Sequence, residues 1–362
     1  MDQKISTKLK LLMITRRVDK DDAQAGFTYS WVKKIGEKVN QLKVICLEKG
    51  NLEGLPENIE VFSLGKEKGK NRLKEFINFQ RGALKFIRKV DGVFCHQNPE
   101  YTILIAPYAK ILNKKIITWY SHKAINWRVR LINILANKIV TPTKESFGLK
   151  SKKKELVGHG IDTELFKPDF SKKFKNSYFQ IISVGRISPI KNYETLIEAI
   201  NILLIKNKIK NKIKVSIIGV PGLASQQNYF NELKKIIKEK GLEKIINFIG
   251  AIPNQQLSRH YQGSDLSINL CPTGSPDKAV LEAMACELPV LVANRTFEES
   301  FGSYADSLIF KHANAKDLAN KIHYLINNGK EIEEVGRYLR ERVVKYHNLN
   351  NLVEKILNLY KT

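Results

Sequence analysis

Two cationic residues lie five positions apart in the segment SVGRISPIK, residues 183–191. The apolar run at residues 179–182 predicts a buried strand, and Gly185 permits a tight turn after it. Arg186 and Lys191 then occupy the loop before a predicted helix at 193–205. Ligands of open α/β sheets bind at the carboxyl ends of the strands, so two fixed cations there suit a diphosphate. Taken singly, each is equally compatible with the surface of a basic protein.

A second candidate segment, residues 275–292, reads SPDKAVLEAMACELPVLV. Its apolar residues recur at helical spacing until Pro289, which cannot continue a helix, and a β-branched apolar run then predicts a buried strand. The first amides of such a helix are unpaired and its dipole is positive there, which favours an anion. Glu282 is a lone acid on this helix. The alternative is an ordinary helix–strand unit with Glu282 in water.

Two histidines follow predicted strands. His96 comes after the strand at 92–95, and His122 comes after the strand at 115–120. The carboxyl ends of parallel strands are where ligands bind, so both histidines, and Asn98 beside the first, are candidates for contact with a substrate. The alternative for each histidine is a hydrogen-bonded loop residue.

Four segments together resemble the retaining glycosyltransferases of the GT-B fold, family four, known as glycosyl transferases group 1. They are VGRISPIKNYETLIEAI, LEAMACELPVLVAN, GHGIDTELFKP and YQGSDLSINLCPT. The resemblance covers nearly the whole chain and is strongest at residues 158–294. It implies an α/β protein with two Rossmann-like, doubly wound domains facing across a crevice. The implied reaction moves a sugar from a nucleotide sugar to an acceptor, with the anomeric configuration retained and no metal.

The resemblance also implies roles for individual residues. Arg186 and Lys191 would hold the diphosphate, Glu282 would accept hydrogen bonds from the ribose, and His122 would face the reaction centre. We therefore expect His122, Arg186 and Lys191 to be catalytic and His96 and Asn98 to lie on the acceptor side. The expected donor site comprises Gly26, Gly185, Arg186, Lys191, Ile252, Gly274, Asp277, Lys278, Ala279, Val280 and Glu282.

The chain departs from the family pattern at two of these positions. Family members usually carry a second glutamate, separated from the one at Glu282 by seven intervening residues; it would fall at position 274, which here is Gly274. Backbone amides at 275–278, or the carboxylate of Asp277, would have to replace it. The family also has a glycine pair after the first strand, whereas here Gly26 follows Ala25. The resemblance does not separate a UDP-sugar from a GDP-sugar.

The length of 362 residues favours two domains. We expect an acceptor-side Rossmann-like domain at 1–165, a linker at 166–177 and a nucleotide-sugar-binding Rossmann-like domain at 178–347. Strands alternate with helices along both halves, which predicts parallel sheets. A helix at about 348–362 is expected to pack back on the first domain, as in the family.

The net charge of +25 favours contact with anionic surfaces, either membrane or nucleic acid. No nucleic-acid motif accompanies it, so we expect no specific nucleic acid partner. The segment 66–89 is both basic and apolar. We expect an ordinary helix whose apolar face meets the sheet; the alternative is peripheral contact with an anionic membrane.

Several function classes are not expected. The four cysteines are far apart and none forms a CxxC pair, which predicts reduced thiols without a disulfide or zinc site. The acids Asp19, Asp21 and Asp22 are expected to be solvated loop residues rather than a metal cluster. No apolar run reaches the roughly 20 residues of a membrane span, and the start lacks a long apolar region. We therefore expect a cytoplasmic protein, with contact at the inner membrane face open.

The resemblance thus implies a metal-independent, retaining hexosyltransferase that uses a UDP- or GDP-sugar and no further cofactor. The acceptor would be a glycan or lipid-linked molecule of the cell envelope. Two alternatives stay open: a sugar-nucleotide 2-epimerase of the same fold, and a catalytically inactive scaffold.

Overall fold

The computed structural model describes residues 7–69, 71–169, 171, 178–205 and 212–361, with the backbone alone at positions 7 and 212. The chain forms two compact units. Unit 1 comprises Met1–Asp162, Pro253–Gln255 and Tyr346–Thr362, and unit 2 comprises Thr163–Ile252 and Gln256–Lys345. Most of the predicted linker lies outside the described residues.

Unit 1 contains a parallel sheet of seven strands in the described part of the chain, in the order β3-β2-β1-β4-β5-β6-β7. The order reverses between β1 and β4, which is the arrangement of a doubly wound dinucleotide-type domain. Its strands are β1 (Thr7–Val18), β2 (Val39–Lys49), β3 (Ile59–Ser63), β4 (Gly92–His96), β5 (Lys115–Trp119), β6 (Lys138–Thr141) and β7 (Lys154–Leu156).

Helices cover both faces of this sheet, because parallel strands are buried on both sides. The helices of unit 1 are α1 (Phe27–Lys38), α2 (Arg72–Phe86), α3 (Pro99–Ile111), α4 (Trp127–Leu135) and, at the end of the chain, α13 (Leu349–Lys361). Helices α2, α3 and α4 share one apolar cluster with the sheet. Helices α1 and α13 share another. The unit therefore has three layers, with α2–α4 forming one outer layer.

Unit 2 repeats the plan on a smaller scale, with five parallel strands in the order β10-β9-β8-β11-β12. Its strands are β8 (Tyr178–Val184), β9 (Lys212–Ile218), β10 (Ile246–Gly250), β11 (Leu266–Asn269) and β12 (Val290–Val292). Its helices are α5 (Tyr193–Ile205), α6 (Gln227–Glu239), α7 (Leu257–Gln262), α8 (Lys278–Ala285), α9 (Glu298–Phe301), α10 (Ala305–Leu308), α11 (Ala315–Asn327) and α12 (Gly329–Tyr346). The predicted α/β class with two Rossmann-like domains is confirmed.

The expectation that α2 packs an apolar face on the sheet holds for only part of its apolar residues. Phe79, Ala83 and Phe86 bury the helix against the sheet, as do Gly82 and the following Ile87. However, Leu73 and Leu84 point to solvent, with 70% and 60% of their surface exposed. The apolar residues of this segment therefore form two faces, and only one of them meets the sheet.

The loop aspartates after β1 also do more than contact water. Asp22 accepts hydrogen bonds from the amides of Gln24 and Ala25 and from the guanidinium of Arg17. Asp19 accepts the amides of Asp21 and, across the loop, of Asn51 at 3.0 Å. These carboxylates hold the loop in shape, and the described residues contain no group of acids or histidines able to hold a metal.

Two further expectations concern the cysteines and a membrane span. All four cysteines are free, and burial raises the pKa of Cys46 and of Cys95 to about 12, which leaves both as inert thiols. Among the described helices, none has the length and apolar character needed to cross a bilayer.

The packing of α13 on the sheet gives a testable prediction. The Tyr360 hydroxyl donates to the Val93 carbonyl at 2.7 Å, and a Cβ at Gly92 would overlap the Tyr360 ring. We expect Gly92→Ala to lower the free energy of unfolding of unit 1 by about 1–3 kcal/mol, since overpacking forces the ring aside. The chain's three tryptophans, Trp31, Trp119 and Trp127, all lie in unit 1, so their fluorescence during urea unfolding reports on this unit.

Lys355→Ala is the matched control in the same unit. Lys355 is exposed on α13, so its truncation removes no buried contact and no loss of stability is expected there. Equal stability of Gly92→Ala and the natural chain would show that α13 does not depend on this contact.

Candidate active site

The strand order of unit 2 reverses between β8 and β11, where Ile181 pairs with Leu266 and Ile182 with Ser267. Loops leaving the carboxyl ends of two such strands diverge to opposite faces of the sheet, which opens a place for a ligand. The loop after β8 carries Arg186 and Lys191, and the loop after β11 leads to α8. The two candidate segments found in the sequence therefore meet at one point of the fold.

An ion pair joins these two loops. Lys191 Nζ lies 2.5 Å from Asp277 Oδ2, and the Asn269 amide donates to the same oxygen at 3.1 Å. Burial works to raise the pKa of Asp277, but the Lys191 charge and these hydrogen bonds hold it below its usual value. Asp277 is therefore a carboxylate that neutralises Lys191 in this conformation.

Asp277 also begins α8. Its backbone is extended, and its Oδ1 accepts the Ala279 amide at 3.3 Å, which makes it the N-cap of the helix. An N-cap side chain satisfies one of the helix's unpaired amides and adds negative charge at the positive end of the dipole. One carboxylate thus serves the helix, Asn269 and Lys191 together.

Glycines let the β8 loop fold tightly beside the β9 loop. The Gly185 amide donates to Ile218 at 3.0 Å, and Lys191 curls back so closely that a Cβ at Gly185 would lie 3.4 Å from its Nζ. Gly219 has φ +145°, and a Cβ there would overlap the Gly185 carbonyl. A Cβ at Gly222 would lie 3.0 Å from Cδ of Arg186, whose side chain is exposed. The loop therefore fixes the Lys191 stem while leaving the Arg186 guanidinium open to a ligand.

Gly274 occupies open space, where a Cβ would meet no atom within 4 Å. Its φ of +104° is the reason for glycine, because a glutamate there would be strained. Its carbonyl accepts the Asn294 amide at 3.3 Å and the Thr296 hydroxyl at 3.4 Å. The departure from the family pattern therefore has a backbone cause.

Helix α8 carries buried polar groups. Glu282 is only 5% exposed, Ala279 is half-buried and Val280 is buried. The hydroxyl of Tyr261 is buried too, and burial together with the Glu282 charge raises its pKa well above the usual value. The Lys278 Nζ has almost no exposed surface, and this burial lowers its pKa to about 7 even though Glu282 acts to raise it.

The remaining donor-site candidates are spread over both units. Ile252 is half-buried and follows β10 in unit 2. Gly26 begins α1 in unit 1, where it is buried and where a Cβ would overlap the Asp22 carbonyl. Packing within the β1–α1 loop thus explains why position 26 is a glycine. The contact of Gly26 with a donor stays a prediction.

The two histidines differ sharply in surroundings. His122 is exposed and follows β5, where its backbone bridges to Phe147. His96, at the end of β4, is 0% exposed, and its Nδ1 lies 2.9 Å from Thr15 Oγ1. Trp31, with ring centroids 4.7 Å apart, packs closely on His96. In this structure His96 is a core residue that joins β4 to β1, and its place on the acceptor side stays a prediction.

Asn98 is half-buried at the start of α3, and its amide donates to the Tyr101 hydroxyl at 3.2 Å. Its expected contact with an acceptor also stays a prediction.

Sequence analysis missed several residues that shape this site. The Asn269 amide donates to the Asp277 carboxylate, and the Asn294 amide donates to the Gly274 carbonyl. Gly219 leaves room for the Gly185 backbone, and Gly222 leaves room for the Arg186 side chain. A signal was present, because each of these residues directly follows or ends a buried strand, or lies in the loop after it. The same reasoning that singled out Arg186 applies to them.

The buried ammonium of Lys278 predicts a pH dependence of stability. Its pKa is about 7 in the folded chain and 10.5 ordinarily, so between these values the unfolded chain binds more protons at this lysine. The free energy of unfolding of unit 2 should therefore rise with pH in this window, by at most about 1.4 kcal/mol per pH unit from this residue. We expect Lys278→Met to lose that contribution.

The measurement is urea unfolding at several pH values, followed by far-UV circular dichroism, with tryptophan fluorescence reporting separately on unit 1. If the free energy of unfolding changed with pH equally in Lys278→Met and in the natural chain between pH 7 and 10.5, the pKa of Lys278 would not be depressed.

Comparison with known proteins is consistent with this geometry. The family model described as glycosyl transferases group 1 matches residues 166–342. A poly(ribitol-phosphate) alpha-N-acetylglucosaminyltransferase from Staphylococcus aureus is 23% identical over 181 residues, which are 49% of this chain and 34% of that protein. The chain thus spans about a third of that relative.

Solved structures are similar over nearly the whole chain. Anabaena HepE, solved in complex with UDP and glucose, is 16% identical, with a TM-score of 0.77 over 98% of this chain and 99% of its own. Staphylococcus aureus TarM, solved with fondaparinux, alpha-GlcNAc-glycerol and UDP, is 12% identical, with a TM-score of 0.70 over 98% of this chain and 100% of its own. At these identities the likeness shows the fold. Residues 166–342 therefore belong to the family of glycosyl transferases group 1, in a chain with the fold of the GT-B glycosyltransferases.

Proposed function

We propose that the protein is a retaining glycosyltransferase that moves a hexose from a nucleoside diphosphate sugar to a glycan or lipid-linked acceptor without a metal. The observation that carries the proposal is the placement of Arg186 and Lys191 at the point where the unit 2 strand order reverses. The family match over residues 166–342 supports it.

The two cations suit the charge that develops on the leaving group. When the bond from the sugar to the diphosphate breaks, negative charge grows on the β-phosphate, and fixed cations stabilise it without reorganisation. Lys191 is held in place by the loop, whereas Arg186 is exposed and can form a forked contact with phosphate oxygens. Amides at the start of α8 supply further donors.

The chemical step needs no separate base in this proposal. The acceptor hydroxyl oxygen forms a bond to the anomeric carbon as the bond from that carbon to the phosphate oxygen breaks. The acceptor's proton passes to a phosphate oxygen of the departing nucleoside diphosphate. Attack on the face that the leaving group vacates retains the anomeric configuration.

Asp277 has a double role in this account. Without donor it neutralises Lys191 at 2.5 Å. A bound diphosphate competes for the same ammonium, which releases one carboxylate oxygen to accept hydroxyl groups of the donor sugar. Asp277 would thus take over part of the function that the family assigns to the glutamate near position 274.

Other residues are assigned to parts of the donor. We propose Glu282 for the ribose hydroxyls and Ile252 for the base. Both Anabaena HepE and Staphylococcus aureus TarM were solved with UDP, which makes a UDP-sugar the first donor to test and a GDP-sugar the second. His122 is exposed at the end of β5, as a residue that positions a sugar must be.

The two alternatives make different products. A 2-epimerase would interconvert nucleotide sugars without an acceptor, and an inactive scaffold would neither bind nor turn over a donor. The family match does not favour either of them. Chromatography of a UDP-sugar incubated with the protein alone separates the epimerase from the transferase.

Removing the cations tests the proposed function directly. We expect Arg186→Ala and Lys191→Ala each to weaken UDP binding about 10–100-fold, because a charge-assisted contact to phosphate is worth roughly 1.5–3 kcal/mol. Turnover should fall at least as far, since the same charges stabilise the transition state. Binding is measured by calorimetry in EDTA, and turnover by release of UDP.

Arg259→Ala and Lys235→Ala are matched controls in unit 2, since both residues are exposed and lie on α7 and α6, outside the two loops that carry the site. Unchanged UDP affinity and turnover in both cation variants would overturn the proposed diphosphate site.

The double role of Asp277 gives an opposite prediction. Asp277→Asn keeps a capping side chain but removes the charge that neutralises Lys191. We expect UDP itself to bind severalfold more tightly, since the ammonium no longer has a competing carboxylate, while transfer from the UDP-sugar slows. Weaker UDP binding by this variant would show that Asp277 does not compete with the diphosphate.

A further inference from the structure

Helix α2 has an exposed apolar face in addition to the one that it buries. Four large apolar side chains on it are exposed: Leu73 by 70%, Phe76 by 48%, Ile77 by 42% and Leu84 by 60%. The opposite side of the helix packs into the core of unit 1 through Phe79, Ala83 and Phe86. The exposed apolar face of α2 therefore takes no part in the core of unit 1.

Helical spacing gathers these residues into one stripe. Leu73, Ile77 and Leu84 follow each other at i, i+4 and i+11, and Phe76 borders them. A second stripe, Lys74, Arg81 and Lys85, follows at i, i+7 and i+11 and lies beside the first. Arg72 is exposed at the first position of the helix. The helix thus presents an apolar ridge with a row of cations along one side.

The charge of this face has one sign. All six basic residues of α2 and the turn after it are exposed: Arg72, Lys74, Arg81, Lys85, Arg88 and Lys89. Glu75 is the one acid in the α2 sequence. Within the described part of the chain, Lys85 is the member of this group that forms an ion pair, with Glu60 at 2.6 Å. The other five cations are available to an anionic surface.

The neighbouring helices of the same outer layer add further exposed apolar groups. Ile111 at the end of α3 is 82% exposed, and on α4 Trp127 and Ile134 are 64% and 66% exposed. Arg128 and Arg130 stand beside Trp127 and are exposed too. Tryptophan next to arginine is typical of residues at the boundary between lipid and water.

We propose that the outer face of α2, together with Trp127 on α4, docks unit 1 onto an anionic lipid surface. An apolar ridge inserts among acyl chains while flanking lysine and arginine side chains reach the headgroups, which is the binding mode of an amphipathic helix lying in the interface. Lipid fits both features of the face. A nucleic acid would leave Leu73, Ile77 and Leu84 without a role, and a protein partner would need a groove rich in acids.

This inference does not depend on the proposed transferase activity. It rests on unit 1 alone, whereas the donor site is argued from unit 2. Failure of membrane binding would leave UDP binding untouched, and absence of UDP binding would leave membrane binding untouched. The two proposals can therefore fail separately.

The test is co-sedimentation of the full chain with vesicles of phosphatidylcholine alone or with 30% phosphatidylglycerol. We expect binding to the anionic vesicles and at least a tenfold weaker partition to the neutral ones. Leu73→Ser/Ile77→Ser/Leu84→Ser should reduce partition to anionic vesicles at least tenfold without loss of thermal stability, because the three side chains are already exposed. The separate variant Arg72→Glu/Lys74→Glu/Arg81→Glu should reduce partition to anionic vesicles more than the serine variant does, since each cation near the surface contributes about fivefold to this partition.

Ile205→Ser is the matched control, because Ile205 is 73% exposed on α5 of unit 2. It should leave partition unchanged. Absence of binding to anionic vesicles would overturn the proposal, as would equal binding of the natural chain and the serine variant, which would indicate charge alone. A concentration-dependent dimer in sedimentation velocity that the serine variant abolishes would assign the face to a second copy instead, and would overturn it too.

Discussion

A parallel sheet must be covered by helices on both faces. Polar functional side chains can therefore be placed only where the strands end. In unit 2 every residue of β11 and β12 is buried. Polar side chains collect where the strands end, and the Lys191–Asp277 pair sits where the chain changes direction across the sheet. The ion pair is therefore a consequence of strand order, because only that order brings residues 86 positions apart into contact.

The same pair explains how the chain can differ near position 274 from the family that its residues 166–342 match. The backbone of Gly274 has φ +104°, which suits glycine and not glutamate. A carboxylate three residues later, Asp277, stands at the start of α8 and is held by Asn269 and Lys191. In our proposal, Asp277 supplies the negative charge of the site from another position along the chain. Such a change is tolerable because a helix N-cap favours a carboxylate for its own reasons.

Much of the fold followed from the sequence, because alternating apolar runs and amphipathic segments specify strands and helices in both units. Helix α5 begins and ends where its pattern predicted, and Arg186 and Lys191 lie in the loop expected for them. What periodicity could not show was contact through space. It gave no sign of the Thr15–His96 bond between β1 and β4, or of the edge strand β7, whose three residues are half-buried or exposed. For α2 the pattern contained two apolar faces, and spacing alone cannot say which of two such faces meets the sheet.

The central claim is that unit 2 binds a nucleoside diphosphate with cationic side chains and helix amides, without a metal. A calorimetric titration of the natural chain with UDP, GDP and ADP in excess EDTA tests it most directly. We expect saturable one-to-one binding of one of these nucleotides, with an affinity that falls as salt screens the phosphate contacts. Absence of binding by all three in EDTA, or binding that appears only when magnesium is restored, would contradict it.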